Sequence, residues 1–237
     1  MERETSVGGI LSETFALLSD TAREIALFVL VVGGVSAIGV ALGYVESTNE
    51  IMGFGGGVVI EPGDSIMSGL YQIGAAVLSV VASYFLLTKL LDTRGRLGEG
   101  DTRIWAYVGM TILSAIGIVL GFVLLIIPGI LLMVRWSASS GFLIGGRKGV
   151  TESLSASWDA TSGHGWTIFL AGLVMLIALF FVGGIFGGAA GVAGNFQVVA
   201  IVSALVEAFG TAVSLCFGIA VYLLVGTDDR EIGEVFE

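Results

Sequence analysis

The sequence is poor in the residues that most catalytic and metal sites need. Its 237 residues include one histidine, His164, and one cysteine, Cys216. A metal centre draws several His, Cys or carboxylate ligands together, and the pattern places none beside His164. A lone cysteine inside an apolar run forms no disulfide framework and leaves the redox compartment unread. Familiar catalytic spacings are missing too: there is no Gly-x-Ser-x-Gly elbow, no His-Glu-x-x-His and no Walker-type loop. Asp159 and His164 stand five apart, but nothing supplies a nucleophile or metal beside them, so they read as loop residues. No enzyme activity, catalytic residue, metal or cofactor is expected. Basic residues are scarce as well, 10 Lys+Arg against 20 Asp+Glu for a net charge of −10, which argues against nucleic acid as a partner.

Charge of either sign is rare in the body of the chain. Only 13% of residues are charged, 55% are hydrophobic, and the mean hydropathy is +0.98. A hydrocarbon layer of about 30 Å needs about 20 apolar residues to cross it as a helix. Six blocks meet that need: Ile25–Val45, Ile66–Leu91, Ile104–Ile127, Ile130–Gly146, Trp166–Ala190 and Val198–Val225. Residues 1–24 are mostly polar and include acids, unlike a cleavable signal peptide, so the first block reads as a permanent anchor. Within them Leu11, Phe15 and Leu18 recur at i, i+4, i+7, as in a helix lying in the headgroup plane. A juxtamembrane extension of the first span is the plainer alternative.

Nine of the ten basic residues lie at or between alternate block ends. Arg3 and Arg23 precede the first block, and Lys89, Arg94, Arg96 and Arg103 surround the gap between the second and third. Arg147 and Lys148 follow the fourth, and Arg230 follows the sixth. Short loops rich in Lys and Arg stay cytoplasmic, so both termini are expected inside a bacterial inner membrane. Trp105, Trp158 and Trp166 fall at the same inner interface, where an indole finds both apolar and polar surroundings. The segment Glu46–Ser65 has four acids, no Lys or Arg, and a glycine run at 53–57; without cationic or strand context it reads as an outer connecting loop.

Pro128-Gly129 divides the third and fourth blocks. A proline ends helical geometry and a glycine tolerates a turn, so an antiparallel hairpin is expected. One long kinked helix would instead put Arg147 and Lys148 opposite Lys89–Arg103. Val150, Leu154 and Trp158 repeat at i, i+4, i+8, which suggests a second interfacial helix before Gly163-His164-Gly165. Gly117 and Gly121 form a four-residue pair, and Gly183, Gly187 and Gly191 share one face, with self-association through that face as one use. The alternative is that these glycines loosen the helix end. Gln72, Ser79 and Ser83 share a face of the second block and suit interhelical hydrogen bonds. The resulting fold class is all-α: a polytopic membrane bundle of six transmembrane helices plus two interfacial amphipathic helices. Its parts are an interfacial helix over 1–24, a membrane domain over 25–225 and an acidic cytoplasmic tail over 226–237.

Two charged residues, Arg135 and Glu207, stand well inside apolar blocks. Counting from Ile130 at 1.5 Å per residue, Arg135 lies about 7–8 Å from the outer end; Glu207 lies about 13–15 Å along the sixth block. An unpaired charge near mid-bilayer costs roughly 2.5–3.5 kcal/mol on insertion scales, so each calls for a partner or a wet cavity. Arg135 can snorkel to the outer headgroups, pair with Glu207, or join it in lining a cavity for an anionic headgroup or a proton. Trp136, Ser137, Ser139 and Ser140 add polar character to the same helix. Arg135, Trp136 and Glu207 are the candidate binding residues.

Three stretches carry a resemblance. Leu-Leu-Ile-Ile-Pro-Gly-Ile-Leu-Leu at 124–132, Glu-Ser-Leu-Ser-Ala-Ser-Trp at 152–158 and Thr-Ser-Gly-His-Gly-Trp at 161–166 run in that order. They resemble a bacterial membrane family that includes the membrane domain preceding glycerophosphodiester phosphodiesterases and the YciC-like inner-membrane proteins. The shared pattern is a Pro-Gly-Ile hairpin, a membrane helix, an amphipathic Ser-Trp helix and a glycine turn into the next span; Ile10–Asp20 also looks like the family's opening. Where many relatives carry a basic residue around the Ser-Trp helix, this chain has Asp159 and Ala160, so a headgroup contact there does not carry over. The phosphodiesterase's soluble catalytic barrel has no counterpart here. The resemblance implies membrane lipids or other membrane proteins as partners. The function expected is a lipid-interacting or membrane-scaffolding one, through an outer-leaflet cavity at Arg135 and Glu207. A small-solute or ion transporter using that pair is the alternative.

Overall fold

The computed structural model describes residues 5–44, 66–192 and 194–226. They are helical apart from turns and the connection over residues 94–103, with no strand among them. Hydrocarbon offers the backbone no hydrogen-bond partner, so an apolar chain crossing it satisfies its own N–H and C=O groups as helix. Six helices are long and apolar enough to cross a membrane: Ala22–Ala41, Ile66–Thr93, Ile104–Leu124, Ile126–Ile144, Gly165–Val192 and Gln197–Val225. They match the six apolar blocks. The chain is an all-α, multi-pass membrane protein. The expected outer loop lies wholly outside the described residues, and the acidic tail lies outside them except for Gly226.

The first helix, α1 (Val7–Asp20), ends at Thr21 and is separate from the first span. Its protein-facing side is Ile10, Thr14 and Leu17, all fully buried. The expected stripe of Leu11, Phe15 and Leu18 lies one position round the helix, and Phe15 is exposed. The helix thus holds the protein with one face and offers another to its surroundings. Glu13 anchors it by accepting a 2.7 Å hydrogen bond from Arg94 Nε, and Thr5 donates to the Leu224 carbonyl.

The first span is α2 (Ala22–Phe28) and α3 (Gly34–Ala41), joined by one π-helical turn over Val29–Gly33. α4 covers Ile66–Thr93 and α5 covers Ile104–Leu124. Tyr71 on α4 donates to the Val35 carbonyl, and Ser68 and Gln72 donate to the Tyr44 carbonyl, so polar contacts tie the first two spans. Among the interhelical bonds expected of Gln72, Ser79 and Ser83, the one to Tyr44 involves Gln72.

The hairpin is present, but its break falls at Leu125, three residues before the proline. Leu125 is extended (φ −164°, ψ 151°), and α6 (Ile126–Arg135) begins directly after it. The displacement has a steric cause. A proline ring clashes with the carbonyl four residues back, which here is Leu124, the last residue of α5; Pro128 itself sits in the first turn of α6, where its missing N–H costs nothing. Gly121 and Gly129 face each other across the hairpin so closely that a Cβ on Gly121 would lie 3.0 Å from the Gly129 Cα.

The fourth span is a broken helix rather than one continuous helix. α6 stops at Arg135, Trp136–Ala138 form turns, and α7 resumes over Ser139–Ile144. α8 (Val150–Ala160) follows, packs on α5 and α7, and leads through a turn into α9 (Gly165–Val192) and then α10 (Phe196–Val225). Glu152 caps the start of α8, its carboxylate accepting from the Gly149 N–H at 2.9 Å.

The chain divides into two compact units. The first takes in the described parts of Met1–Leu17, Leu90–Gly172 and Cys216–Glu237, and the second those of Leu18–Lys89 and Leu173–Leu215. In the first, Gly141 lies under the Tyr222 ring, and Phe142 meets that ring edge-on at 4.9 Å. In the second, Gly33 approaches α10 so closely that a Cβ there would lie 3.1 Å from the Leu205 Cα and 3.2 Å from the Ala204 carbonyl. Gly183 meets Val206, whereas a Cβ at Gly184, Gly187, Gly188 or Gly191 would meet nothing.

Candidate functional site at the break in the fourth span

A helix that stops inside an apolar segment leaves carbonyls without their usual N–H partners, and such groups are expensive away from water. Here hydroxyls cover them. Ser137 donates to the Val134 carbonyl at 2.8 Å and Ser139 to the Trp136 carbonyl at 2.7 Å. The Arg135 carbonyl accepts from Ser157 on α8 at 2.7 Å. Ser153, Ser157 and Thr161 recur at i, i+4, i+8 and are fully buried, so the buried face of α8 is small and hydroxyl-bearing. The expected apolar stripe holds only at Leu154, since Trp158 is exposed and Val150 half-exposed.

Close packing through Ser157 brings the other face of α8 to Arg135. The guanidinium carbon lies 5.3 Å from the Trp158 ring centroid, and Nη1 donates to the Trp158 carbonyl at 3.4 Å. No acid partners Arg135 among the described residues. A cation over an indole face is stabilised by the ring quadrupole, and more strongly where water is scarce. Counted from Ile126, nine residues place Arg135 about 13–14 Å along the fourth span, deeper than the count from Ile130 gave. Its side chain turns toward α8.

Trp136 completes the site. Its six-membered ring rests on Gly117 of α5, where a Cβ would stand 2.6 Å from two ring carbons. Gly117 therefore makes room for an indole, whereas its partner Gly121 makes room for a backbone. Between Trp136 and Trp158 lies an open groove of about 320 Å³, lined also by Thr151, Leu154 and Ser155. The groove offers apolar walls and two hydroxyls; Arg135 does not line it but lies over the ring of Trp158, which does, and has no acid partner among the described residues.

Glu207 belongs to the second unit. Its side chain is exposed and has no hydrogen bond or ion pair among the described residues. Asp159 is exposed, and the buried Nδ1 of His164 has no hydrogen-bond partner among the described residues. Cys216 is fully buried. No group of three or more metal-ligating side chains occurs among the described residues. Trp158 and Ser157, absent from the sequence-derived binding set, prove central to the site; the i, i+4, i+8 spacing of Ser153, Ser157 and Thr161 is a signal that could have found Ser157. Comparisons with protein-family models, with curated proteins and with solved structures find nothing that matches this chain.

Proposed function

We propose that this protein binds anionic phospholipid in a bacterial inner membrane and acts as a lipid-interacting or scaffolding component there. One observation carries the reading: Arg135 has no acidic partner among the described residues and lies on Trp158, beside a groove walled by two indoles. A phosphodiester supplies the missing anion, and an acyl chain suits the indole and Leu154 walls. α8 directly follows Arg147 and Lys148, which the charge pattern assigns to the inside, so the groove serves the inner leaflet rather than the outer one. The catalytic, metal and cofactor roles stay empty in this proposal.

Native mass spectrometry of protein extracted from membranes tests it. Wild type should retain anionic phospholipid, and Arg135→Ala and Trp158→Ala should each lose it. Wild type carrying no phospholipid, or both variants retaining it fully, would sink the reading. A second reading, a carrier for a small solute or ion, is favoured by the exposed carboxyl of Glu207.

A further inference from the structure

Glu207 occupies an unusual place. Eleven residues from Phe196 put it about 16 Å along α10, with about 27 Å of helix beyond, so it lies well within a hydrocarbon layer of about 30 Å. The packed face of α10 is a row of small residues, Ala200, Ala204, Ala208 and Ala212, all buried. Ser203, Glu207 and Ser214 lie to one side of that row and are exposed. An exposed glutamate is ordinary on a soluble helix, but in a span it is a rare and costly feature.

Among the described residues of its unit, no cation and no hydrogen-bond donor meets the Glu207 carboxyl. Thr211 spends its hydroxyl proton on the Glu207 backbone carbonyl at 3.1 Å, and Ser214 on the Gly210 carbonyl at 2.9 Å. α9 packs on α10 through Gly183 and Leu179 and has no titratable residue from 173 to 192. The first span packs through Gly33, and its only charged residues are Arg23 and Glu24 in the first turn. α4 brings Tyr71, which donates to the Val35 carbonyl, with Tyr84 and Lys89 toward its far end. Arg135, the other charged residue well inside an apolar span, lies in the first unit on Trp158.

A carboxylate with neither donors nor a counter-ion leaves low-dielectric surroundings by taking up a proton. We propose that Glu207 is a proton-binding site of the membrane domain and holds its proton at neutral pH. This does not rest on lipid binding at Arg135 and would survive the failure of that reading; for a carrier, it names the proton as the coupled ion.

Dicyclohexylcarbodiimide, which enters membranes, tests it. The reagent adds to a protonated carboxyl: an oxygen bonds the central carbon, the proton passes to a nitrogen, nothing leaves, and rearrangement gives a stable N-acylurea. In liposomes at about pH 7, where an ordinary glutamate (about 4.3) is ionised, peptide mass mapping should find one adduct on Glu207 and none in Glu207→Gln. Infrared spectra give a readout independent of reagent access: a protonated-carboxyl band in wild type, lost in Glu207→Gln. Either signal, lost in the variant, supports the site. Absence of both from wild type overturns it and assigns Glu207 an ionised state with a cationic partner.

Discussion

Ser157 donates its hydroxyl proton to the Arg135 carbonyl across 2.7 Å, and so joins the end of a broken membrane helix to α8, 22 positions away. The bond caps the carbonyl and positions Trp158 under the guanidinium. Thr161 reaches the same carbonyl only at 3.4 Å and lies nearer the Ser157 carbonyl, at 2.8 Å. Ser157→Ala should therefore leave a buried acceptor unpaired and cost about 1–3 kcal/mol in thermal unfolding in detergent. Phospholipid retention should fall with it. An unchanged melting temperature would show that Thr161 takes over the cap.

Gly117 tests the groove without touching its chemistry. A methyl there would stand 2.6 Å from Trp136 ring carbons, so the indole must move. Gly117→Ala should lower phospholipid retention several-fold in native mass spectrometry, and overpacking of this kind costs about 1–3 kcal/mol. Tryptophan fluorescence should shift as Trp136 is displaced. Retention equal to wild type would exclude Trp136 as a wall of the binding groove.

The six spans were legible because a membrane imposes one requirement, length of apolar chain, that composition displays directly. The hairpin was legible as well, but its break was misplaced, because the proline clash acts on the carbonyl of Leu124 rather than at Pro128 itself. What stayed hidden was the break after Arg135. Trp136–Ala138 contain no proline or glycine, and hydroxyls on α8, distant in sequence, help make the interruption tolerable. Arg135 and Trp136 stood out by their chemistry. Their partner Trp158 was visible as an interface anchor and as part of the α8 stripe but not as a partner of Arg135, since a stacking contact across 23 positions leaves no periodic trace.

Two glycine pairs that look alike in sequence should behave differently. Gly121 faces the Gly129 backbone, which cannot yield as a side chain end would, whereas Gly187 faces open space. Gly121→Ala should destabilise by about 1–3 kcal/mol. Gly187→Ala should be neutral or stabilise by up to about 1 kcal/mol, through helix propensity. Melting curves of the two variants compare them directly. A marked loss of stability in Gly187→Ala would show that this face is covered by another molecule.

Charge and the hairpin together support one proposed orientation. Arg94, Arg96, Arg103, Arg147 and Lys148 all fall in the first unit, with Arg103 donating to the Leu143 and Lys148 carbonyls and Arg147 Nη1 reaching the Gly98 and Asp101 carbonyls at 3.5 Å. The segment before α5 and the segment before α8 are thus held together at one end of the hairpin, and Leu125 lies at the other. Loops rich in Lys and Arg resist export, so we propose that the clasped end is the cytoplasmic one. A reporter active only outside the cytoplasm should be silent when fused after Lys148 and active when fused after Leu125. Activity at Lys148 with silence at Leu125 would invert the protein and move the Arg135 groove to the outer leaflet.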